Sequence, residues 1–359
     1  MNALGQRIAA LIGAQGPITL AQFMTMALHD PSHGYYATRD PFGVAGDFIT
    51  APEISQMFGE LLGLWCVQVW HDQGRPDRIR LIELGPGRGT QMADMLRAAR
   101  VVPEFLAALE VVLVEASPAL TALQTERLKD SGVPLNWAAR FEDAPGDGPL
   151  IVIANEFFDA LPIRQYVKTK RGWCERMVTL GPNGVLDFAL APVAIPNTMI
   201  PPGRGEAPEG AVCEISATAM ALSEKIARAV AARGGGALIV DYGYDRPDFG
   251  ETLQAVADHA FAAVLAEPGR SDLSAHVDFP ALSGAATRGG ASVFGPIGQG
   301  EFLDGLGIAA RAHRLAAQNP QTETVLAAAL ERLVNPEQMG TLFKALAIVP
   351  NSAPNPPGF

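Results

Sequence analysis

The chain has 359 residues, 48% of them hydrophobic and 18% charged, enough for one large core or two smaller ones. Its 27 basic against 38 acidic residues give a net charge of −11, which argues against general nucleic-acid binding and would tolerate a basic protein or peptide partner. Cys66, Cys174 and Cys213 lie far apart, without a disulfide frame or zinc spacing, so reduced thiols, no metal and a cytoplasmic setting are expected.

The opening stretch, residues 1–16, is short and amphipathic and has Arg7 as its one arginine. Neither a secretory signal nor a transit peptide is expected. No apolar run reaches membrane-spanning length, so no membrane insertion is expected. Leu4, Ile8, Leu11 and Ile12 form a helical stripe. Thr19 is the expected N-cap of a second helix carrying Phe23, Met24, Met26, Ala27 and Leu28. That helix stops at His29-Asp30-Pro31. His29 and His33 are four apart, but Pro31 interrupts any shared helix, so they read as loop or capping histidines. Residues 40–52 form a glycine-rich loop holding Asp47. Residues 53–70 read as one long amphipathic helix, expected to lid a cofactor, and Asp47 before it is either a contact to that cofactor or the cap of a turn.

The apolar run 79–84 leads into LIELGPGRGT, residues 81–90, and a helical pattern with Met92, Met95 and Leu96 follows. This reads as strand, tight turn, helix. Gly85, Gly87 and Gly89 leave bare backbone for a ligand. A dinucleotide turn needs its third glycine at position 90, which is Thr90, and no P-loop lysine follows. The acidic Glu83 before the turn suits a cationic ligand. Acid-x-G-x-G-x-G therefore points to S-adenosylmethionine, a sulfonium and ammonium without phosphate. VVLVEAS, 111–117, is a second buried strand ending in Glu115, placed to accept hydrogen bonds from a ribose diol.

Ser117-Pro118 opens a further helix, and 134–137 reads as a short third strand. LIVIAN, 150–155, is the fourth, and it delivers Asn155 and Glu156 to the edge that carries Gly85–Gly89 and Glu115. Residues 163–192 look like an inserted β-meander, and the insertion extends to about 212. A helix over 216–232 and a fifth buried strand, 237–244, follow. Residues 252–265 look helical. Asp272, His276 and Asp278 share one loop, where His276 could be a base or a structural histidine. Helices near 308–318 and 322–334, a last strand at 342–349 and a disordered tail at 350–359 complete the chain.

Four segments together, DPSHGYY (30–36), GDFITAPEISQMFGELL (46–62), ELGPGRG (83–89) and NEFFDALP (155–162), resemble the MidA-like family. GRSDLSAHVDF (269–279) and MGTLFKALAI (339–348) match in kind. That family comprises class I S-adenosylmethionine-dependent methyltransferases related to the mitochondrial complex I assembly arginine methyltransferase. The alanine-rich stretch after Gln254 departs from the family's more basic, aromatic pattern. The resemblance implies an α/β, Rossmann-like class I sheet, and the residues are expected to divide into a helical cap at 1–75 and a methyltransferase domain at 76–349. It implies a protein arginine as methyl acceptor, on a complex I subunit or assembly intermediate. A guanidinium is always charged, and paired carboxylates match its fork. Glu156 is the first candidate for that contact. Asp159 is a second carboxylate or a loop cap, and Asn155 holds the loop or a substrate amide. The rivals are a small-molecule methyltransferase, a S-adenosylmethionine-binding assembly chaperone that transfers nothing, and an NAD-dependent oxidoreductase, which the turn disfavours.

Overall fold

The run Ile79–Leu84 is buried at every position, as a strand covered on both faces must be. It is β1 of a twisted sheet in the computed structural model, which describes residues 1–38, 50–144, 146–201, 207–257 and 259–359. The other strands are β2 (Leu109–Val114), β3 (Leu135–Ala138), β4 (Leu150–Asn155), β5 (Gly235–Tyr244), β6 (Ser292–Gly298) and β7 (Phe343–Val349). The sheet runs β3–β2–β1–β4–β5–β7–β6. β3, β2, β1, β4 and β5 are mutually parallel, while β7 is antiparallel to both β5 and β6. The direction of winding reverses between β1 and β4. In open sheets of this kind ligands bind beyond the strands' C-terminal ends at such a switch point. Gly85, Glu115 and Glu156 follow the ends of β1, β2 and β4.

The chain divides into two units. One holds Ile49–Phe158, Leu222–Asp245 and Leu282–Phe359, and with them the whole of this sheet path. The other holds Met1–Phe48, Asp159–Ala221 and Arg246–Ala281. The boundary expected at residue 75 is therefore misplaced. The reason lies in the helix Gln56–Asp72, which buries Phe58, Leu62, Trp65 and Val69 in the core beside the sheet. Its Gly59 and Gly63 allow close approach to the helix Thr90–Ala99: a Cβ on Gly63 would lie 2.5 Å from the Met95 carbonyl oxygen. The helix starts later than the sequence implied. Ala51–Ile54 is a separate short turn of helix, Ser55 is extended, and its Oγ accepts from the Met57 N–H at 3.2 Å.

In the second unit, helices Ala3–Gln15 and Leu20–His29 share an apolar cluster with Val178 of the strand Gly172–Leu180. Thr19 makes the expected cap: its Oγ1 accepts from Gln22 N–H at 3.1 Å, and Gln22 Oε1 accepts from Thr19 N–H at 2.9 Å. Strands Arg164–Thr169, Gly172–Leu180 and Leu186–Ile195 form the antiparallel meander. The helix expected over 252–265 is instead a hairpin of Gln254–Ala257 and Ala260–Ala262. Leu253 and Ala255 are buried while Gln254 and Val256 are only partly so, a period of two that overrides alanine's helix preference. The buried Glu214 carboxylate holds this hairpin, accepting from the Thr252 and Leu253 N–H groups at 3.1 and 3.2 Å. The tail is also placed rather than disordered: the Phe359 ring lies 5.3 Å from that of Phe302.

No described helix is long and apolar enough to cross a membrane.

Candidate active site

The turn after β1 has the backbone that its glycines permit. Gly85, Gly87 and Gly89 have φ of +63°, +52° and +75°, the left-handed region that a Cβ disfavours. Gly89 also caps the helix Thr90–Ala99. A Cβ on Gly85 would lie 2.8 Å from the Phe157 ring. The turn thus stays narrow and presents backbone on the sheet edge.

Glu115 follows β2 with its carboxylate fixed in place. One oxygen accepts from the Ser117 N–H at 2.8 Å and the other from Gln124 Nε2 at 3.1 Å. Burial pushes its pKa up, and these hydrogen bonds partly offset that. A carboxylate has about four lone-pair sites, so capacity remains for hydroxyl donors. Gln124 was not singled out from sequence. It is fully buried, donates to the Gly87 carbonyl at 2.7 Å as well as to Glu115, and accepts from Trp137 Nε1 at 2.9 Å. One side chain therefore ties the glycine turn to the Glu115 carboxylate. The available signal was a polar residue on the apolar stripe Leu120, Gln124, Leu128.

Glu83 lies inside the sheet rather than at its lip. One carboxylate oxygen accepts from Gln91 Nε2 at 2.8 Å, while the other is buried without a hydrogen-bond partner, as is Gln91 Oε1. Burial pushes the Glu83 pKa up to about 8. These acceptors, the bare turn and the Glu115 carboxylate fit a ligand with cationic and diol groups.

The raised pKa has a signed consequence. In the unfolded chain Glu83 ionises near 4.5, so between about pH 4.5 and 8 the folded chain holds the extra proton. Its contribution to stability is complete below that window and is lost as pH rises through it. Glu83→Gln cannot ionise. Its stability relative to the parent chain should therefore rise from pH 5 to pH 8 and level off above, measured by denaturant unfolding. A pH-independent difference would contradict the assignment.

Asn155 and Glu156 close β4. Glu156 has φ +48°, a strained conformation for a residue with a side chain. Its N–H donates to the Val240 carbonyl at 2.9 Å, and its Oε1 accepts from the Ala51 N–H at 2.9 Å. Asn155 is buried with Oδ1 unpartnered, and its Nδ2 lies 3.4 Å from Glu156 Oε1. The following loop hangs on Asp241 of β5. Asp241 Oδ2 accepts from the Phe157 and Phe158 N–H groups at 3.1 and 2.9 Å.

Asp47 lies outside the described residues. Asp159 belongs to the second unit, where its carbonyl accepts from Ala275 N–H at 3.0 Å. In that unit Tyr36 donates to Asp272 at 2.8 Å, and burial with the Asp272 and Asp159 carboxylates raises its pKa. The His276 N–H donates to Thr252 Oγ1 at 2.9 Å, and Asp278 accepts from the Ala281 N–H at 3.0 Å. Tyr35 is core. Among the described residues no group of three or more His, Cys, Asp or Glu side chains could hold a metal ion.

Comparison with known proteins agrees with this geometry. Residues 61–297 match the family model described as S-adenosyl-L-methionine-dependent methyltransferase. The chain is 37% identical to "Protein arginine methyltransferase NDUFAF7, mitochondrial" of Danio rerio, over 96% of this chain and 86% of that protein. It is 36% identical to the Homo sapiens protein of the same name, over 95% of this chain and 82% of that one. A superfamily protein from Burkholderia thailandensis, crystallised with S-adenosyl-homocysteine, superposes with a TM-score of 0.87 at 29% identity, over 99% of this chain and 94% of that one. The relatives' mitochondrial designation overturns the cytoplasmic setting expected from the cysteines. All three thiols are free and buried, and reduced thiols report a redox state, which does not single out one compartment.

Proposed function

Because the chain belongs to the family of S-adenosyl-L-methionine-dependent methyltransferases, we propose that its methyl acceptor is an arginine of a protein, on a subunit or assembly intermediate of respiratory complex I. The observation that carries this reading is the similarity to proteins named as arginine methyltransferases over nearly the whole chain. The net charge of −11 favours a basic acceptor.

Bound at the glycine turn, S-adenosylmethionine supplies a methyl group on a cationic sulfur, already a good leaving group. The chain's own task is then placement. Gly85, Gly87 and Gly89 admit the donor, Glu115 holds its ribose, and the cationic donor displaces the Glu83 proton to solvent, leaving a carboxylate that favours its positive charge. Glu156 accepts from guanidinium N–H groups, orients one nitrogen toward the methyl and concentrates positive charge on the others. Asn155 offers Oδ1 to the same acceptor. As the new N–C bond forms and the S–C bond breaks, the attacking nitrogen loses one proton, which Glu156 takes and passes to water.

Glu156→Gln tests the acceptor role. It should bind S-adenosylmethionine within about threefold of the parent chain and lose methyl transfer by about 100-fold or more, the scale of removing one group that stabilises developing charge. Normal turnover would remove Glu156 from the mechanism.

A further inference from the structure

The short helix Ala51–Ile54 touches both halves of the site. At its start, the Ala51 N–H donates to Glu156 Oε1 at 2.9 Å. At its third residue, Glu53 Oε1 accepts from Thr90 Oγ1 at 2.7 Å. Thr90 is the first residue of the helix behind the glycine turn. The chain then enters the helix Gln56–Asp72, which is locked onto that same helix where a Cβ on Gly59 would lie 2.8 Å from Asp94 Cβ. The element therefore has a rigid mounting on the donor side and a single strained residue, Glu156 at φ +48°, on the acceptor side.

We propose that Thr50–Ile54 is a clasp that couples the methyl-donor turn to the acceptor carboxylate, with Glu53 and Thr90 as positioning residues. The proposal rests on the reading of the turn as the donor site and of Glu156 as the acceptor contact. Its chemistry is simple. Occupancy of the turn stiffens the start of the helix Thr90–Ala99. The Thr90–Glu53 hydrogen bond carries that order to the short helix, and the Ala51 N–H fixes Glu156 in the orientation a guanidinium needs. Each link is a hydrogen bond to a carboxylate, stronger than a neutral one.

The test is a double-mutant cycle on S-adenosylmethionine affinity, measured by calorimetry without any acceptor. Thr90→Val and Glu156→Ala should each weaken binding by about tenfold, the loss expected of one charge-assisted hydrogen bond. The double variant should be no weaker than either single one, because both break the same coupling. Thr90→Ser and Glu156→Gln, which keep the donor hydroxyl and an acceptor oxygen, should restore affinity to within about threefold, a rescue that damage to the fold would not show. Unchanged affinity in either single variant, or losses that multiply in the double, would overturn the clasp. Failure of the arginine reading shows separately, as absence of methylarginine with the cycle intact.

Discussion

Gly85→Val is expected to abolish binding of both S-adenosylmethionine and S-adenosylhomocysteine. Two costs act together. The residue sits at φ +63°, where a β-branched side chain is strained by about 1–3 kcal/mol. Its Cβ would also meet the Phe157 ring at 2.8 Å. That ring cannot retreat freely, because Asp241 holds the Phe157 and Phe158 N–H groups. The turn must open or the loop must shift, and either spoils the surface on which the donor lies. A loss of about 100-fold or more corresponds to roughly 2.7 kcal/mol, within reach of these two terms. Calorimetric titration checks it, with circular dichroism to establish that the variant is folded. Affinity within about threefold of the parent chain would mean that the turn does not carry the ligand.

The second large effect is expected at Glu115. Glu115→Ala removes the proposed ribose acceptor and also takes the carboxylate from the Ser117 N–H, while Gln124 Nε2 keeps the Gly87 carbonyl. Hydrogen bonds to a charged group contribute about 1.5–3 kcal/mol each, so losing those to a diol should weaken S-adenosylhomocysteine by about 100-fold. A ligand comparison isolates the cause. The 2′-deoxy analogue should bind the parent chain about tenfold more weakly than S-adenosylhomocysteine, and the two should bind Glu115→Ala equally. A deoxy penalty that persists in the variant would place the diol on another residue.

The parallel core was legible because its strands are continuous apolar runs, and the turn because glycines at 85, 87 and 89 leave few other readings. Strand β6 was hidden by Gly295-Pro296, which sit where its register with β7 slips between Phe294 and Ile297. The hairpin at 254–262 was hidden by alanines, whose helix preference gives way to the anchoring of Thr252 and Leu253 by Glu214. At the site, Glu83, Glu115 and Glu156 were readable as acids at strand ends. Their environments were not. Glu83 is sealed beside Gln91, Glu115 is braced by Gln124, and Glu156 is committed to Ala51, all through partners 8 to 105 residues away in sequence. The division of the NEFFD stretch, with Phe158 ending a segment of one unit and Asp159 starting one of the other, left no trace in local pattern.

The most direct measurement is transfer of a labelled methyl group from S-adenosylmethionine to purified complex I assembly intermediates, followed by acid hydrolysis and amino-acid analysis. The account predicts label in methylarginine with the parent chain and at least a 100-fold loss with Glu156→Gln, as for removal of one transition-state contact. Label in another amino acid or in a small molecule, or saturable donor binding with no transfer at all, would contradict it.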